Sequence, residues 1–367
     1  MKIFQIIPSF EFGGAEKMCE TLTYELVKKN NEVVVISLYS KITPISMNIE
    51  NKGIKVYYLN KHLGVDFKIY RKIIELIKKE KPDVIHSHLN TCDYVFLAAF
   101  LSNYKGKLIH TIHNVASKDA VGITKIINKF YFSHNLVTPV ALSSEIQKSV
   151  VDYYKLKKEE VPYVYNGVDL SRCIIKQDYN FGEEIIITHI GRFASQKNHI
   201  GLINAFKQLN TIYPNTMLYL VGDGELKQEI ENKVKEYGLL KNVKFLGHQS
   251  NVYPILNNSD IFILPSNYEG VPMTIIEAMG TGLPIIATKV GGVSDMIVNE
   301  KEGILVDNDE QSIVNSCVDL ISNKEKREYL GQNALLKSCL FSAEHMADEY
   351  CKIYSYTIKC TKKKRKA

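Results

Sequence analysis

Short β-branched runs alternate with apolar segments at helical spacing along most of this chain, and after residue 184 the alternation starts again. The first series of strand candidates covers residues 2–7, 33–37, 55–59, 84–86, 107–112 and 136–141, with helical patterns at 17–29, 67–79 and 91–101. The second covers 185–190, 217–221, 243–246, 261–264, 284–287 and 304–306, again with helical intervals that include 200–209 and 312–321. Such an alternation predicts α/β architecture, with parallel sheets covered by helices on both faces. At 367 residues and 45% hydrophobic composition the chain can bury two cores of ordinary size. The expected division is a first doubly wound domain over 1–170 and a second over 171–342, joined between residues 168 and 182. A helix over 343–360 follows, with Met346, Tyr350, Ile353 and Tyr354 on one face that docks back onto the first domain. A basic tail, 361–367, ends the chain.

Composition excludes several classes of protein. The longest apolar run, residues 94–101, falls far short of the roughly 20 residues a membrane-spanning helix needs. The amino terminus has one lysine and an apolar stretch broken by Pro8, which does not fit a secretory signal. The 7 cysteines are scattered and contain no Cys-x-x-Cys pair, as expected of reduced thiols in the cytoplasm. The net charge of +6 is uneven: the first half is basic, the second acidic, and the excess sits in the tail around Lys362-Lys363-Lys364-Arg365-Lys366. A solvated terminus explains that tail, and contact with an anionic membrane surface is the sharper reading. No helix-turn-helix or zinc-finger spacing accompanies it, so nucleic acid is not an expected partner.

The chemistry-bearing residues collect after strands. The run Ile261-Phe262-Ile263-Leu264 empties into residues 266–284, where Glu269 lies in a loop and Glu277 on a short helix beginning near Met273. Gly270 and Pro272 mark the turn and the helix start. Backbone N–H groups at Val271, Pro272-linked Met273 and Thr274 sit at a helix amino end, which attracts an anion such as a diphosphate. Arg192 and Lys197, in GRFASQKN directly after another strand, are the cations that can reach the same anion. A nucleotide sugar needs both sets, cations for phosphate and carboxylates for hydroxyls.

Gly13-Gly14 occupies a strand-to-helix turn in the first half, where backbone can approach phosphate or sugar. No G-x-G-x-x-G can be aligned there, and the pair Gly222 and Gly224 has Lys227 where a third glycine belongs, so a nicotinamide enzyme is disfavoured. His86, His88, His110 and His113 cluster at two strand ends without carboxylates or thiols at a metal-binding spacing, and hydrogen bonding is favoured over metal. His113 is placed to bond a sugar hydroxyl or a developing charge, with a structural role as the alternative. Asp307-Asn308-Asp309 is the one D-x-D in the sequence and reads as a helix cap.

Taken together these motifs resemble those of retaining glycosyltransferases of family 4, which have the GT-B fold. The matching pieces are Gly13-Gly14-Ala15-Glu16, His113, Asn166-Gly167-Val168-Asp169, Gly191-Arg192-Phe193 with Gln196-Lys197-Asn198, Val221-Gly222-Asp223-Gly224, Phe245-Leu246-Gly247, and the Glu-x7-Glu of Glu269 and Glu277. The resemblance implies two Rossmann-like doubly wound domains facing a central cleft, the first on the acceptor side and the second on the donor side. It implies that Arg192 and Lys197 hold the donor diphosphate with Gly270, Val271, Pro272, Met273 and Thr274 helping from the helix end. Glu277 then binds ribose hydroxyls, Phe245 and Leu246 lie near the base, and Gly14 and His113 belong to the first-domain face. Catalytic roles are implied for Glu269, His113, Arg192 and Lys197, with Glu269 a positioning and electrostatic residue. The implied reaction moves a hexosyl or N-acetylhexosaminyl group from a nucleotide sugar, UDP-linked, to a lipid-linked or polysaccharide acceptor in cell-surface glycan biosynthesis, without metal or other cofactor. The expected location is cytoplasmic, peripheral at the inner membrane face. The alternatives are a non-catalytic GT-B partner subunit, which would be expected to lose these donor residues, and a sugar-nucleotide epimerase of similar fold.

Overall fold

The structure, a computed structural model, describes residues 1–11 and 13–364, with the side chains of 356–364 excepted. The lysine cluster of the basic tail therefore lies outside the described side chains. The chain forms two compact units, residues 1–167 with 343–367, and residues 168–342.

In the first unit the elements run β1 (Lys2–Ile7), α1 (Gly14–Lys28), β2 (Glu32–Ser37), α2 (Pro44–Asn51), β3 (Lys55–Tyr58), α3 (Phe67–Glu80), β4 (Val84–His88), α4 (Cys92–Leu101), β5 (Lys107–Ile112), α5 (Ala116–Asp119), α6 (Gly122–Ser133), β6 (Thr138–Ala141) and α7 (Ser144–Tyr154). The sheet order is β3-β2-β1-β4-β5-β6, with parallel pairing throughout. The second unit holds β7 (Ile185–Ile190), α8 (His199–Ile212), β8 (Thr216–Val221), α9 (Lys227–Glu236), β9 (Val243–Gly247), α10 (Tyr253–Asn257), β10 (Ile261–Leu264), α11 (Met273–Thr281), β11 (Ile285–Thr288), α12 (Val293–Met296), β12 (Ile304–Val306), α13 (Glu310–Ser322) and α14 (Lys324–Ser338). Its sheet, β9-β8-β7-β10-β11-β12, repeats the order of the first and is likewise parallel.

Local chemistry explains the elements. The central strands are apolar because helices cover both their faces, so β10 is buried at every position. Helix α3 buries Ile69, Ile73, Leu76 and Ile77 along one stripe, starts at the Asp66 cap and stops at Lys81 in the left-handed region. The final helix α15 (Ala343–Lys364) packs against α1 in the first unit. It buries Met346, Ala347, Tyr350 and Tyr354, and Lys29 pairs with Asp348 at 2.7 Å. Among the described residues no helix is long and apolar enough to cross a membrane.

Between β2 and β3, residues 44–51 form the helix α2, for which no helical pattern was identified above. Pro44 opens it, and Thr43 and Ser46 cap each other reciprocally.

Candidate functional site

A sheet ordered 3-2-1-4-5-6 reverses direction between its first and fourth strands, so the loops leaving those two strands diverge and leave a crevice at their carboxyl ends. In the second unit these strands are β7 and β10. The loop after β7 carries Arg192 and Lys197, and the loop after β10 carries Glu269. The fold therefore brings Lys197 and Glu269 into contact across 72 residues of sequence: Lys197 Nζ donates to Glu269 Oε1 at 2.5 Å. Ser266 Oγ donates to the same oxygen at 2.6 Å, and Gln196 Nε2 reaches Glu269 Oε2 at 3.4 Å. Both partners are largely buried, with side chains 15% and 5% exposed. Arg192 is placed differently. Its guanidinium is exposed and pairs with Glu225 at 3.0 Å, so it reaches outward from the loop that Lys197 lines from within.

Glycines determine how closely these loops approach. A Cβ at Gly191 would lie 3.1 Å from the Lys197 stem and 3.2 Å from His189 Nε2. Gly222, at φ +139, and Gly224 back onto the same loop: added Cβ atoms would sit 2.0 Å from the Gly191 carbonyl and 2.5 Å from the Phe193 carbonyl. Backbone bonds from Gly191 to Val221 and from Phe193 to Asp223 join the two loops. The glycine pair that fails as a dinucleotide fingerprint is thus a brace for the Arg192–Lys197 loop.

Helix α11 begins at Pro272 without a side-chain cap. Thr274 Oγ1, in its first turn, is buried and has no hydrogen-bond partner. An uncapped amino end with an unpaired hydroxyl is suited to an anion. Glu277 lies one turn further on and is half-buried. It stands near Cys173 and Tyr253: burial, with the Glu277 charge second, pushes the Cys173 thiol up to about 12, and the same two causes raise the Tyr253 hydroxyl. Phe245 and Leu246 lie near the end of β9, before Gly247, where the register shifts, and the Phe245 ring lies 6.2 Å from that of Phe193.

In the first unit Gly14 opens α1, whose amino end also lacks a side-chain cap. A Cβ at Gly14 would meet nothing within 4 Å, while the Glu16 carboxylate folds back to within 2.3 Å of a Cβ built on Gly13. His113 follows β5, half-buried, with its Nε2 3.3 Å from His88 Nδ1. Burial, aided by His110 and opposed by Asp119, lowers its pKa to about 4, so the ring is neutral at neutral pH. The capping role expected of Asp309 is observed, with Ser312 N donating to it at 2.9 Å. Asn308 joins Asn198 to Asn267 instead.

Two features escaped the reading of the sequence. His189 and His199 are buried beneath the Lys197 loop, their rings edge to face at 4.7 Å. His189 donates from Nδ1 to the Ile263 carbonyl at 3.0 Å, and burial first, then the Lys197 charge, lowers its pKa to about 4. Gly291 and Gly292 press on the carbonyls of Glu269 and Gly270. The signal for the second was present: a Val-Gly-Gly-Val run directly after a strand.

Both sheet orders and the crevice-lining loops define the GT-B class. Anabaena HepE, crystallised with UDP, matches with a TM-score of 0.82 over 97% of this chain and 100% of its own, at 20% identity. A glycosyltransferase from Rickettsia africae matches at 0.83 over 98% of both chains, also at 20% identity. The family model "Glycosyltransferase Family 4" matches residues 12–172, and "Glycosyl transferases group 1" matches residues 172–337. The Escherichia coli UDP-Gal:alpha-D-GlcNAc-diphosphoundecaprenol alpha-1,3-galactosyltransferase is 30% identical over 279 residues, covering 71% of each chain. A Campylobacter jejuni alpha-1,4-N-acetyl-D-galactosaminyltransferase acting on an undecaprenol-diphosphate-linked glycan is 28% identical over 361 residues, covering 96% of this chain and 98% of its own. The chain belongs to glycosyltransferase family 4.

Proposed function

We propose that this glycosyltransferase moves a hexosyl or N-acetylhexosaminyl group, with retention, from a UDP-sugar to a lipid-linked or polysaccharide acceptor. The carrying observation is the uncapped start of α11, with its unpaired Thr274 hydroxyl, in the unit that also holds the Lys197–Glu269 pair. Val271, Met273 and Thr274 receive the diphosphate, Gly270 and Pro272 shape the turn, and Lys197 supplies positive charge, joined by Arg192 when its exposed guanidinium swings from Glu225 to the donor. Glu277 takes the ribose hydroxyls and Glu269 the transferred sugar, with Phe245 and Leu246 beside the base. Gly14 and His113 are the first-unit contacts. The bond from the anomeric carbon to the diphosphate breaks as the acceptor oxygen attacks from the same face, and the acceptor proton leaves with the diphosphate. Fixed positive charge stabilises that leaving group, so no metal or other cofactor is required. The acceptor class is supported by the Escherichia coli and Campylobacter jejuni relatives, whose names specify lipid-diphosphate substrates.

Thermal unfolding in the presence of nucleotide sugars tests the donor. A UDP-sugar at a hundred times its Kd should raise Tm by roughly 5–10 °C through mass action, and ADP- or GDP-sugars should do so far less. Equal protection by all bases, or by none, would remove the uridine assignment.

A lipid-linked acceptor places the enzyme at the inner face of a membrane. Helix α6 offers a docking surface: Ile123, Ile126 and Phe130 are 73%, 69% and 53% exposed along one stripe, beside exposed Lys129. Lys125 contributes less, since its ammonium sits over the Tyr153 ring at 3.8 Å. Ile126→Asp with Phe130→Asp should sharply reduce cosedimentation with phosphatidylglycerol vesicles at low salt. Removing residues 359–367 measures the tail's share. Full binding by a protein carrying both changes would exclude this surface.

A further inference from the structure

The polar residues on one face of the first sheet are unlike the rest of its core. Gln5 on β1, His86 and His88 on β4 and Thr111 on β5 are completely buried. Register pairs Gln5 with His86 and His88 with Thr111, and the alternation of side chains along a strand puts all four on the same face. Apolar residues would fill this face at lower cost, because a buried polar group must recover its lost hydration through hydrogen bonds. These residues recover most of it in two linked chains, with Gln5 Nε2 the one polar atom of the four side chains left without a partner among the described residues.

In the first chain His88 Nε2 lies 2.7 Å from Gln5 Oε1, and His88 Nδ1 lies 3.3 Å from His113 Nε2. In the second, His86 Nε2 lies 2.7 Å from Thr111 Oγ1, which lies 2.8 Å from the Tyr350 hydroxyl, while His86 Nδ1 lies 2.8 Å from the Tyr354 hydroxyl. Both tyrosines belong to α15. The His86 and His88 rings lie against each other with centroids 4.1 Å apart, so the second chain backs the first. Within the first chain, His113 is the member that is only half-buried.

Counting hydrogens orders the first chain. With the Gln5 amide oxygen, which only accepts, turned toward the ring as in this structure, His88 Nε2 carries the hydrogen and its Nδ1 carries a lone pair. That lone pair accepts from His113, whose Nε2 carries the hydrogen, and His113 Nδ1 is left as an acceptor. We propose that Gln5 and His88 are positioning residues that hold His113 as the neutral Nε2–H tautomer, presenting Nδ1 to accept a hydrogen bond from a sugar hydroxyl. The proposal rests on the reading of His113 as a ligand contact. Helix α15 takes part through Tyr350 and Tyr354, which fix the ring that His88 packs on.

Nitrogen-15 NMR of the histidine-labelled full-length protein reads the tautomer, because protonated and bare ring nitrogens resonate far apart. Gln5→Met removes the acceptor at similar volume. His88→Gln keeps an amide donor toward Gln5 and an oxygen acceptor toward His113. The unaltered protein and His88→Gln should show His113 protonated at Nε2 alone, while Gln5→Met should show a mixture. Release of UDP from UDP-galactose or UDP-N-acetylglucosamine, whichever is turned over, should fall about tenfold in kcat for Gln5→Met with KM within about twofold, and His88→Gln should retain most of it. A single Nε2–H tautomer in Gln5→Met overturns the relay, as does unchanged kcat alongside a mixed tautomer. Full turnover by His113→Ala is a separate outcome: it overturns the contact role of His113 and leaves the tautomer measurement standing.

Discussion

Replacing Lys197 by alanine should lower kcat for UDP-sugar turnover by about a hundredfold to a thousandfold, the range for removing one preorganised charge from a leaving-group site. The variant also disturbs the resting protein. Lys197 is bonded to Glu269, whose side chain is 5% exposed, and without the ammonium that carboxylate keeps, among the described residues, the neutral partners Ser266 and Gln196. Stranding a buried charge costs about 3–5 kcal/mol. Loss of activity in Lys197→Ala alone thus mixes two causes, and the double variant Lys197→Ala, Glu269→Gln separates them. It should recover most of the lost thermal stability, since a neutral amide needs no counter-charge, while turnover stays depressed. Near-normal turnover in either variant would show that the pair is structural and would remove Lys197 from the site. An ammonium has three hydrogens, and one bond to Glu269 leaves two for the diphosphate, so donor binding does not require the pair to break.

The strand series was legible because parallel strands buried on both faces must be continuous apolar runs, and β1, β7 and β10 are such runs. Their duplication was legible as a restart of the pattern, whereas the order 3-2-1-4-5-6 within each sheet was read from the structure. Helix α14 was not. Its buried positions include Arg327, Gly331 and Ser338, so it shows little apolar stripe. Arg327 is held instead by the carbonyls of Tyr179, Leu320 and Ile321 and by the Phe181 face at 3.7 Å, contacts that exist only after folding.

The site divides in the same way. Arg192 and Lys197 were readable as a pair of cations from their spacing, but spacing does not reveal which carboxylate each meets, and they meet different ones, Glu225 and Glu269. The four histidines near β4 and β5 were visible as a cluster. Their linkage to Gln5 and to two tyrosines of α15 was not, because it joins residues separated by 83, 268 and 239 positions. Polar residues placed in apolar strand runs are a sequence signal that pays attention to burial rather than motif, and Gln5 and His189 both carry it.

The largest effect from a single methyl group is expected at Gly291. Its φ is +52, a region that costs an L-residue about 1 kcal/mol, and a Cβ built there lies 1.8 Å from the Glu269 carbonyl oxygen. That oxygen is backbone, so no side-chain rotation relieves the overlap. Gly292 closes the same approach from its other side, since a Cβ built there would lie 2.3 Å from the Gly270 carbonyl oxygen, and the loop has little room to retreat. Gly291→Ala must therefore displace residues 269–271, and with them the Glu269 carboxylate and the peptide that leads into α11. A misplacement of about 1 Å at a reacting centre costs on the order of a hundredfold in rate. Gly238→Ala supplies the control, because Gly238 has φ +71 and nothing within 4 Å of an added Cβ, so it bears the conformational cost without the overlap. Gly238→Ala should lower Tm slightly and leave turnover unchanged. Gly291→Ala should lower Tm further and reduce turnover on the order of a hundredfold. If the two variants behaved alike in both measurements, the tight packing of Gly291 against Glu269 would have no part in shaping the donor loop.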